Sequence, residues 1–206
     1  MENEQAITNT ATSLIIFRNT IITTFLASTF LRIISGTHKS RTIHAPKNLP
    51  VRPTTDFAKE SLFNILNNNF DFSHLKVLDL FSGTGNITYE FASRGFAEIT
   101  AIESNYNCFS FIKKTVSELD FKNVNVIKSD VFTYLKNCTT KYDVIFADPP
   151  YEMEGIENIQ ALVFEKKMLN ENGWLIIEHS AKTKFTEEGH FLQKRNYGNV
   201  NFSIFG

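Results

Sequence analysis

The sequence predicts an α/β fold organised on a parallel sheet, and two observations carry the prediction. From residue 76 onward short apolar runs alternate with helix-like stretches, and near the C-terminus the alternation gives way to two adjacent strands. Lys76–Phe81, Glu98–Ile102, Val124–Ile127, Asp143–Ala147 and Trp174–Glu178 read as buried strands, because each is short and apolar. Ile87–Arg94, Tyr106–Leu119, Val131–Lys136 and Ile156–Leu169 read as the helices between and beside them. Such alternation implies βαβ units with right-handed crossovers. Phe191–Tyr197 and Val200–Phe205 flank Gly198-Asn199, a turn pair suited to a hairpin. Together these segments make a seven-stranded, Rossmann-like sheet with a C-terminal antiparallel hairpin.

Upstream, Leu31–Gly36 and Lys39–Ile43 flank a glycine turn and predict a small N-terminal β-hairpin. Pro46, Pro50 and Pro53 mark an extended linker. Thr54, Thr55 and Asp56 are all N-cap residues for a helix from Phe57 to about Asn67, where a run of asparagines ends it. The expected organisation is a disordered or dispensable extension over 1–30, a hairpin and linker over 31–53, and the main domain over 54–206. The charge-free run from Asn19 to Leu31 is too short and too polar to span a bilayer. Glu2 and Glu4 also precede it where a signal peptide needs a basic start.

Composition fits one packed domain with an appendage: 206 residues, 42% hydrophobic, with 20 Phe. That apolar content excludes a wholly disordered chain. The net charge of −1 is unevenly spread. Arg32, Lys39, Arg41, Lys47 and Arg52 fall between Leu31 and Thr55 with no acidic residue among them, leaving −1 − 5 = −6 for the remainder. A basic segment on an acidic body points to a local anionic partner such as nucleic acid, although a solvated basic hairpin has the same pattern. Cys108 and Cys138 have neither CxxC spacing nor clustered histidines, so reduced packing thiols in a cytosolic protein, and no metal site, are expected.

Ligands of open α/β sheets bind beyond the carboxyl ends of the strands. The first such end reads Asp79-Leu80-Phe81-Ser82-Gly83-Thr84-Gly85. Its two glycines let the backbone turn sharply and approach a ligand closely. The third glycine of a dinucleotide fingerprint is missing, and so is the Gly-Lys-Ser/Thr of a phosphate loop. The second strand ends in Glu103-Ser104, where a carboxylate can accept both ribose hydroxyls or simply cap the next helix. The third ends in Asp130-Val131, with the same pair of readings and an adenine amine as the candidate donor. Three successive acidic strand ends beside a Gly-Thr-Gly turn outline a nucleoside pocket without phosphate contacts. S-adenosylmethionine suits it, having adenosine, no phosphate and a sulfonium cation that carboxylates favour.

The fourth strand ends in Asp148-Pro149-Pro150-Tyr151, the most specific signal in the chain. Consecutive prolines fix a rigid bend there. Asp148 and the Pro149 carbonyl can both accept from one exocyclic amine, and Tyr151 can stack on the ring that bears it. An aromatic amine is a poor nucleophile because its lone pair is delocalised, so two acceptors that orient it favour methyl transfer, with proximity supplying much of the rate. The catalytic set is therefore Asp148, Pro149, Pro150 and Tyr151.

With these residues in view the chain, from Leu31 to its C-terminus, resembles the bacterial 16S ribosomal RNA guanine-N2 methyltransferases of the RsmD type. The likeness lies in Arg32-Ile33-Ile34-Ser35-Gly36 and in Arg52-Pro53-Thr54-Thr55-Asp56 leading to Glu60-Ser61-Leu62-Phe63-Asn64. It continues in Asp79 through Gly85, in Glu103 and in Asp148 through Tyr151. The resemblance implies a class I S-adenosylmethionine-dependent methyltransferase domain with a small N-terminal hairpin contacting RNA. The implied reaction is N2 methylation of a guanine (guanine 966 in the family) in a partly assembled small subunit, and a monomer is expected. Carried over, Arg32, Lys39, Arg41 and Arg52 lie near phosphates and Thr54 and Thr55 near the substrate mouth, the base being flipped into the pocket. Relatives of this type begin at a Met where this chain has Leu31, so Leu31 is expected to occupy a natural initiation site. Glu178 and His179, at the end of the fifth strand, fit pocket lining and ordinary packing equally.

Two other readings compete. A DNA adenine-N6 methyltransferase uses the same tetrapeptide but brings a sizeable target-recognition domain, for which residues 31–206 leave little room. A ribosome-assembly RNA-binding factor without catalysis has no need of Asp79, Glu103 and Asp148 together.

Overall fold

The computed structural model of the protein describes residues 29–46, 49, 54–185, 189–198 and 200–206. The N-terminal extension up to residue 28 lies outside them, as do Lys47 and Arg52 of the basic segment.

Strands β1 (Thr29–Arg32) and β2 (Thr42–Ala45) pair antiparallel as the N-terminal hairpin. Thr29 and Phe30, which the sequence assigns to the extension, thus belong to β1. Phe30 faces His44 across the pair, ring edge to ring at 4.9 Å. Residues 34–36 do not extend the strand as expected, because the amides of Ile34 and Ser35, like those of Thr37 and His38 in the turn, bond to the main domain instead. Helix α1 (Asp56–Asn67) follows, with the Thr55 side chain accepting from the Ala58 amide as N-cap.

The main sheet contains β3 (Lys76–Leu80), β4 (Glu98–Glu103), β5 (Val124–Lys128), β6 (Tyr142–Ala147), β7 (Leu169–His179), β8 (Phe191–Tyr197) and β9 (Val200–Phe205). Their spatial order is β5-β4-β3-β6-β7-β9-β8, parallel from β5 to β7, with β9 antiparallel to both neighbours. The seven-stranded sheet with an antiparallel C-terminal hairpin is what the alternation predicts. The chain winds outward through β3, β4 and β5, then returns to β6 beside β3, so the crevice at the switch lies between the ends of β3 and β6.

Helices α2 (Asn86–Ser93), α3 (Tyr106–Glu118), α4 (Val131–Asn137) and α5 (Glu157–Glu165) link the strands. One face of the sheet packs Val77, Ile99, Phe146 and Ile176 against Leu62, Phe63, Phe91 and Ile112 of α1, α2 and α3. The other packs Leu78, Ile102, Ile145 and Ile177 against Val131, Leu135, Ile159 and Val163 of α4 and α5. Because side chains alternate along a strand, Asp79, Asp148 and Glu178 project to the first face, on the rows beyond Val77, Phe146 and Ile176.

α5 stops at Glu165, not at Leu169. Lys167 takes φ 52°, and the amides of Lys167 and Met168 bond back to Phe164 and Val163 at 3.0 Å each. This is a Schellman stop without glycine, and it frees Leu169 to start β7. β7 is longer than expected, pairing through Leu169 and resuming at Trp174 after a break at Asn172, whose φ is 60°. Cys108 and Cys138 are both free, and burial pushes the Cys108 thiol up to about 11, as suits a packing residue. No helix among the described residues is long and apolar enough to cross a membrane.

Candidate active site

The turn after β3 is built by strained backbone. Phe81 takes φ 62°, Gly83 56° and Gly85 80°, so the chain reverses three times within five residues. Gly85 is irreplaceable on space as well as on φ, since a Cβ there would stand 2.5 Å from the Tyr89 ring. The Ser82 amide donates to the Ile102 carbonyl at 3.0 Å, and the Gly83 amide donates to Glu103 Oε2 at 2.7 Å. Glu103 also accepts from the Asn105 amide through Oε1 at 2.7 Å. Its carboxylate, which the Ser104 amide also reaches, therefore fastens two loops together while keeping one lone pair for a further donor. Burial raises its pKa, against the pull of those amides.

Asp79 is buried, with its carboxylate held by the Thr88 hydroxyl of α2. Burial pushes its pKa up to about 7, reinforced by Asp148 and Glu103. Ser82 and Thr84 are buried beside it, while Ser104 is exposed at the end of β4. Asp130 is the N-cap of α4: its Oδ1 accepts from the Thr133 amide at 2.9 Å and from the Thr133 hydroxyl at 3.0 Å. Val131 behind it is core.

Asp148 follows β6, and Thr54 Oγ1 donates to its Oδ2 at 3.4 Å. Burial raises the Asp148 pKa, with the Thr54 hydroxyl opposing. Pro149 is buried, whereas Pro150 and Tyr151 are exposed, Tyr151 by 53%. Glu178 lies one strand over, because Phe146 pairs with Ile176 and both chains continue two residues to the site. It is 3% exposed and its Oε2 is buried without a hydrogen-bond partner. Burial raises its pKa further with the help of the Asp148 charge, and a hydrogen bond from Tyr151 opposes the rise.

The end of β7 thereby resolves into two residues of opposite character. His179 faces the other side, its Nδ1 donating to the Ser180 carbonyl and its Nε2 accepting from the Ser203 hydroxyl, both at 2.8 Å. A carbonyl only accepts, which fixes that tautomer. His179 is a satisfied core residue, while Glu178 joins the carboxylates at the crevice. The strand's alternation could have separated them, given the face of Asp148.

The basic residues are less uniform than their sequence suggests. Arg32 turns its guanidinium onto Asp56, with Nη2 2.7 Å and Nε 3.0 Å from Oδ2. Lys39 and Arg41 are exposed on the hairpin, and Arg52 lies outside the described residues. Thr55 is taken up in capping α1, whereas Thr54 reaches into the site.

Sequence reasoning missed the buried cluster that holds the hairpin in place. Glu90 on α2 accepts from the amides of Ile34 at 2.8 Å and Ser35 at 3.0 Å, and from Arg94 Nε at 2.8 Å. Lys59 Nζ stands 3.5 Å from Glu90 Oε2, with both side chains wholly buried. Nearby, the amides of Thr37 and His38 donate to the Ser93 carbonyl and hydroxyl at 2.7 and 3.0 Å. Gly36 passes so close that a Cβ would sit 1.8 Å from the Ser93 carbonyl oxygen. Among the described residues no group of His, Cys, Asp and Glu is arranged to hold a metal ion.

Known proteins share this architecture and sequence. A family model described as conserved hypothetical protein 95 matches residues 31–206. The ribosomal RNA small subunit methyltransferase D of Buchnera aphidicola (subsp. Baizongia pistaciae) is 36% identical over 73% of this chain and 76% of its own length. The protein of the same name from Escherichia coli K12 is 32% identical over 72% and 71%. The solved Escherichia coli protein yhhF superposes with a TM-score of 0.74 at 25% identity, covering 86% of this chain and 97% of its own. A Thermus thermophilus 16S rRNA N2 G1207 methyltransferase, solved with AdoMet and guanosine, shares the fold with a TM-score of 0.67 at 21% identity, over 86% of this chain and 49% of its own. The chain belongs to the conserved hypothetical protein 95 family, that of the ribosomal RNA small subunit methyltransferase D proteins.

Proposed function

We propose that the protein transfers a methyl group from S-adenosylmethionine to the exocyclic N2 amine of a guanine in 16S rRNA, acting on a partly assembled small subunit. The observation that carries the reading is the meeting of Asp148, Asp79 and Glu178 at the switch crevice, where, among the described residues, no ion pair reaches any of them. Buried carboxylates with raised pKa values and no cation of their own suit a cationic ligand. The left-handed turn from Phe81 to Gly85 suits close approach of its nucleoside, and Glu103 keeps a lone pair for a ribose hydroxyl. Asp130 contributes through its Oδ2, the oxygen that capping leaves over.

When bound, S-adenosylmethionine supplies an electrophilic methyl carbon on its sulfonium. Asp148 and the Pro149 carbonyl accept the two N–H bonds of the amine and hold its lone pair in line. Tyr151, half exposed at the mouth, offers its ring to the flipped base. As the C–N bond forms the nitrogen must lose one proton. Asp148, with its pKa raised toward neutrality, is a competent acceptor. Lys39 and Arg41 on the exposed hairpin turn meet RNA phosphates.

Labelled S-adenosylmethionine offered with small-subunit particles lacking the modification, with naked rRNA and with duplex DNA tests the assignment. Label in guanine N2 of the particles is expected, whereas label in DNA alone overturns it.

A further inference from the structure

Lys59 is wholly buried yet touches neither the crevice nor solvent. Its ammonium has three acceptors: the Arg32 carbonyl of β1, Asn86 Oδ1 at 2.8 Å and Glu90 Oε2 at 3.5 Å. Three donors thus meet three acceptors, and the group is saturated. An ammonium can only donate, so the Asn86 amide must turn its oxygen toward Lys59 and its nitrogen the other way. That nitrogen donates to the Thr54 carbonyl at 2.9 Å. Thr54 in turn donates its hydroxyl to Asp148 Oδ2 at 3.4 Å.

We propose that Lys59 and Asn86 are positioning residues for the methyl-transfer step, a relay that runs from the hairpin backbone through the Asn86 amide and Thr54 to the Asp148 carboxylate. Lys59 sets the amide orientation, the amide sets the backbone of Thr54, and Thr54 sets which way Asp148 presents its second oxygen. Lys59, Glu90 and Ser93 anchor the hairpin, and their contacts leave the Asn86 nitrogen without a task. The relay gives it one. The hydroxyl contact at 3.4 Å is the loosest step, and a small displacement of Thr54 breaks it. The inference rests on the methyltransferase reading above.

Asn86→Asp isolates the relay. It keeps an acceptor for Lys59, places an acidic residue in the first turn of α2 where one is favourable, and replaces the donor to Thr54 by a repelling oxygen. The expected result is a kcat lowered roughly 10- to 100-fold, as a small misplacement of a catalytic group produces. The Kd for S-adenosylmethionine should stay within about threefold and the thermal midpoint within a few degrees, the scale of a change near 1 kcal/mol. The groups facing Asp148 are Thr54, Asp79 from β3 and Glu178 from β7, the last bonded by Tyr151. The Thr54 contact is lost and a carboxylate is added behind it. Both changes disfavour ionised Asp148, so the acid limb of the kcat–pH profile should move to higher pH. Thr54→Val, which adds no charge, separates the two: it should reproduce the contact's part of that shift, and adding Asn86→Asp to it should cost no further kcat. Lys59→Met should show the same kcat loss along with lower stability.

A kcat and acid limb like wild type, or full additivity with Thr54→Val, overturns the relay. Wild-type protein that labels no RNA overturns the functional reading instead. In that event carbon NMR titration of Asp148 in wild type and Asn86→Asp still judges the relay, which fails if the two curves coincide.

Discussion

The Lys59–Glu90–Arg94 cluster and the Asp79–Asp148–Glu178 cluster bury carboxylates on the same face of one sheet, yet only the first holds its own cations. In the first, every charge has a partner, and Arg94 also lies over the Phe63 ring at 4.4 Å. In the second, each carboxylate is pushed toward its neutral form by burial, and Asp79 and Glu178 are pushed further by negative neighbours. Burial of charge therefore does not by itself mark a site. A deficit of countercharge is what sets the second cluster apart, because a protein that only needed stability would have paired or removed those groups.

The strongest test of that contrast removes Asp148. Asp148→Ala should lower kcat by roughly 10²- to 10⁴-fold, the range of a lost acid–base group, while S-adenosylmethionine binding by calorimetry persists. An Asp148→Ala enzyme that stays fully active breaks the account of the tetrapeptide. Next in size, Glu90→Ala leaves Lys59 and Arg94 without their partner and should cost about 3–5 kcal/mol in denaturant unfolding. A change no larger than that of an exposed pair would mean the cluster is not the anchor it resembles.

The pH dependence of ligand binding comes third. The carboxyl of Asp79 is held near about 7, above its unfolded value, so in the cofactor-free protein its contribution to stability is complete below the usual carboxylate range and is lost as pH rises through about 7. A sulfonium ligand favours the ionised form, so its affinity should rise with pH up to about 7, by at most roughly tenfold per unit for one group. Asp79→Asn should flatten that slope in calorimetry across the same range. The smallest effect is expected at the hairpin surface. Arg41→Ala should weaken RNA binding a few-fold and reduce the salt dependence of log K by about 1 if it meets a single phosphate.

How far the sequence discloses the fold differs with the kind of signal. Helix ends show this well, because α2, α3 and α5 all stop in the same way. In each the amide two residues past the cap bonds back five residues: Phe96 to Phe91, Phe121 to Val116 and Met168 to Val163. The left-handed residue is Gly95 in the first, Asp120 in the second and Lys167 in the third. Only glycine advertises the stop, and the expected end of the third helix accordingly ran past it to Leu169. The ends of β3 to β6 were easier, since apolar runs and their bounding turns are local, whereas β7 starts with Leu169 and the polar run 170–172, which no apolar pattern marks.

The same division holds at the site. Asp148-Pro149-Pro150-Tyr151 and the Gly-Thr-Gly turn are contiguous, and their places at the ends of β6 and β3 can be read from the residues. Glu178 could not be sorted from His179 until its face was known relative to Asp148. Lys59, Asn86 and Glu90 sit on two helices with ordinary helical spacing, and nothing local marks them as one cluster with the hairpin. Thr54 and Thr55 are adjacent and alike, yet one reaches Asp148 and the other caps a helix.

The hairpin is fastened to α2 through main-chain amides of Ile34, Ser35, Thr37 and His38, not through its charged side chains. Every amino acid but proline carries such an amide, so the exposed side chains at Lys39 and Arg41 can be exchanged without loosening the attachment. What is fixed is the steric demand at Gly36, the partners on α2 and the buried Leu31, Ile33, Ile43 and Ala45 of the hairpin. A designer could therefore rewrite the surface this turn presents while leaving its seat on the main domain intact.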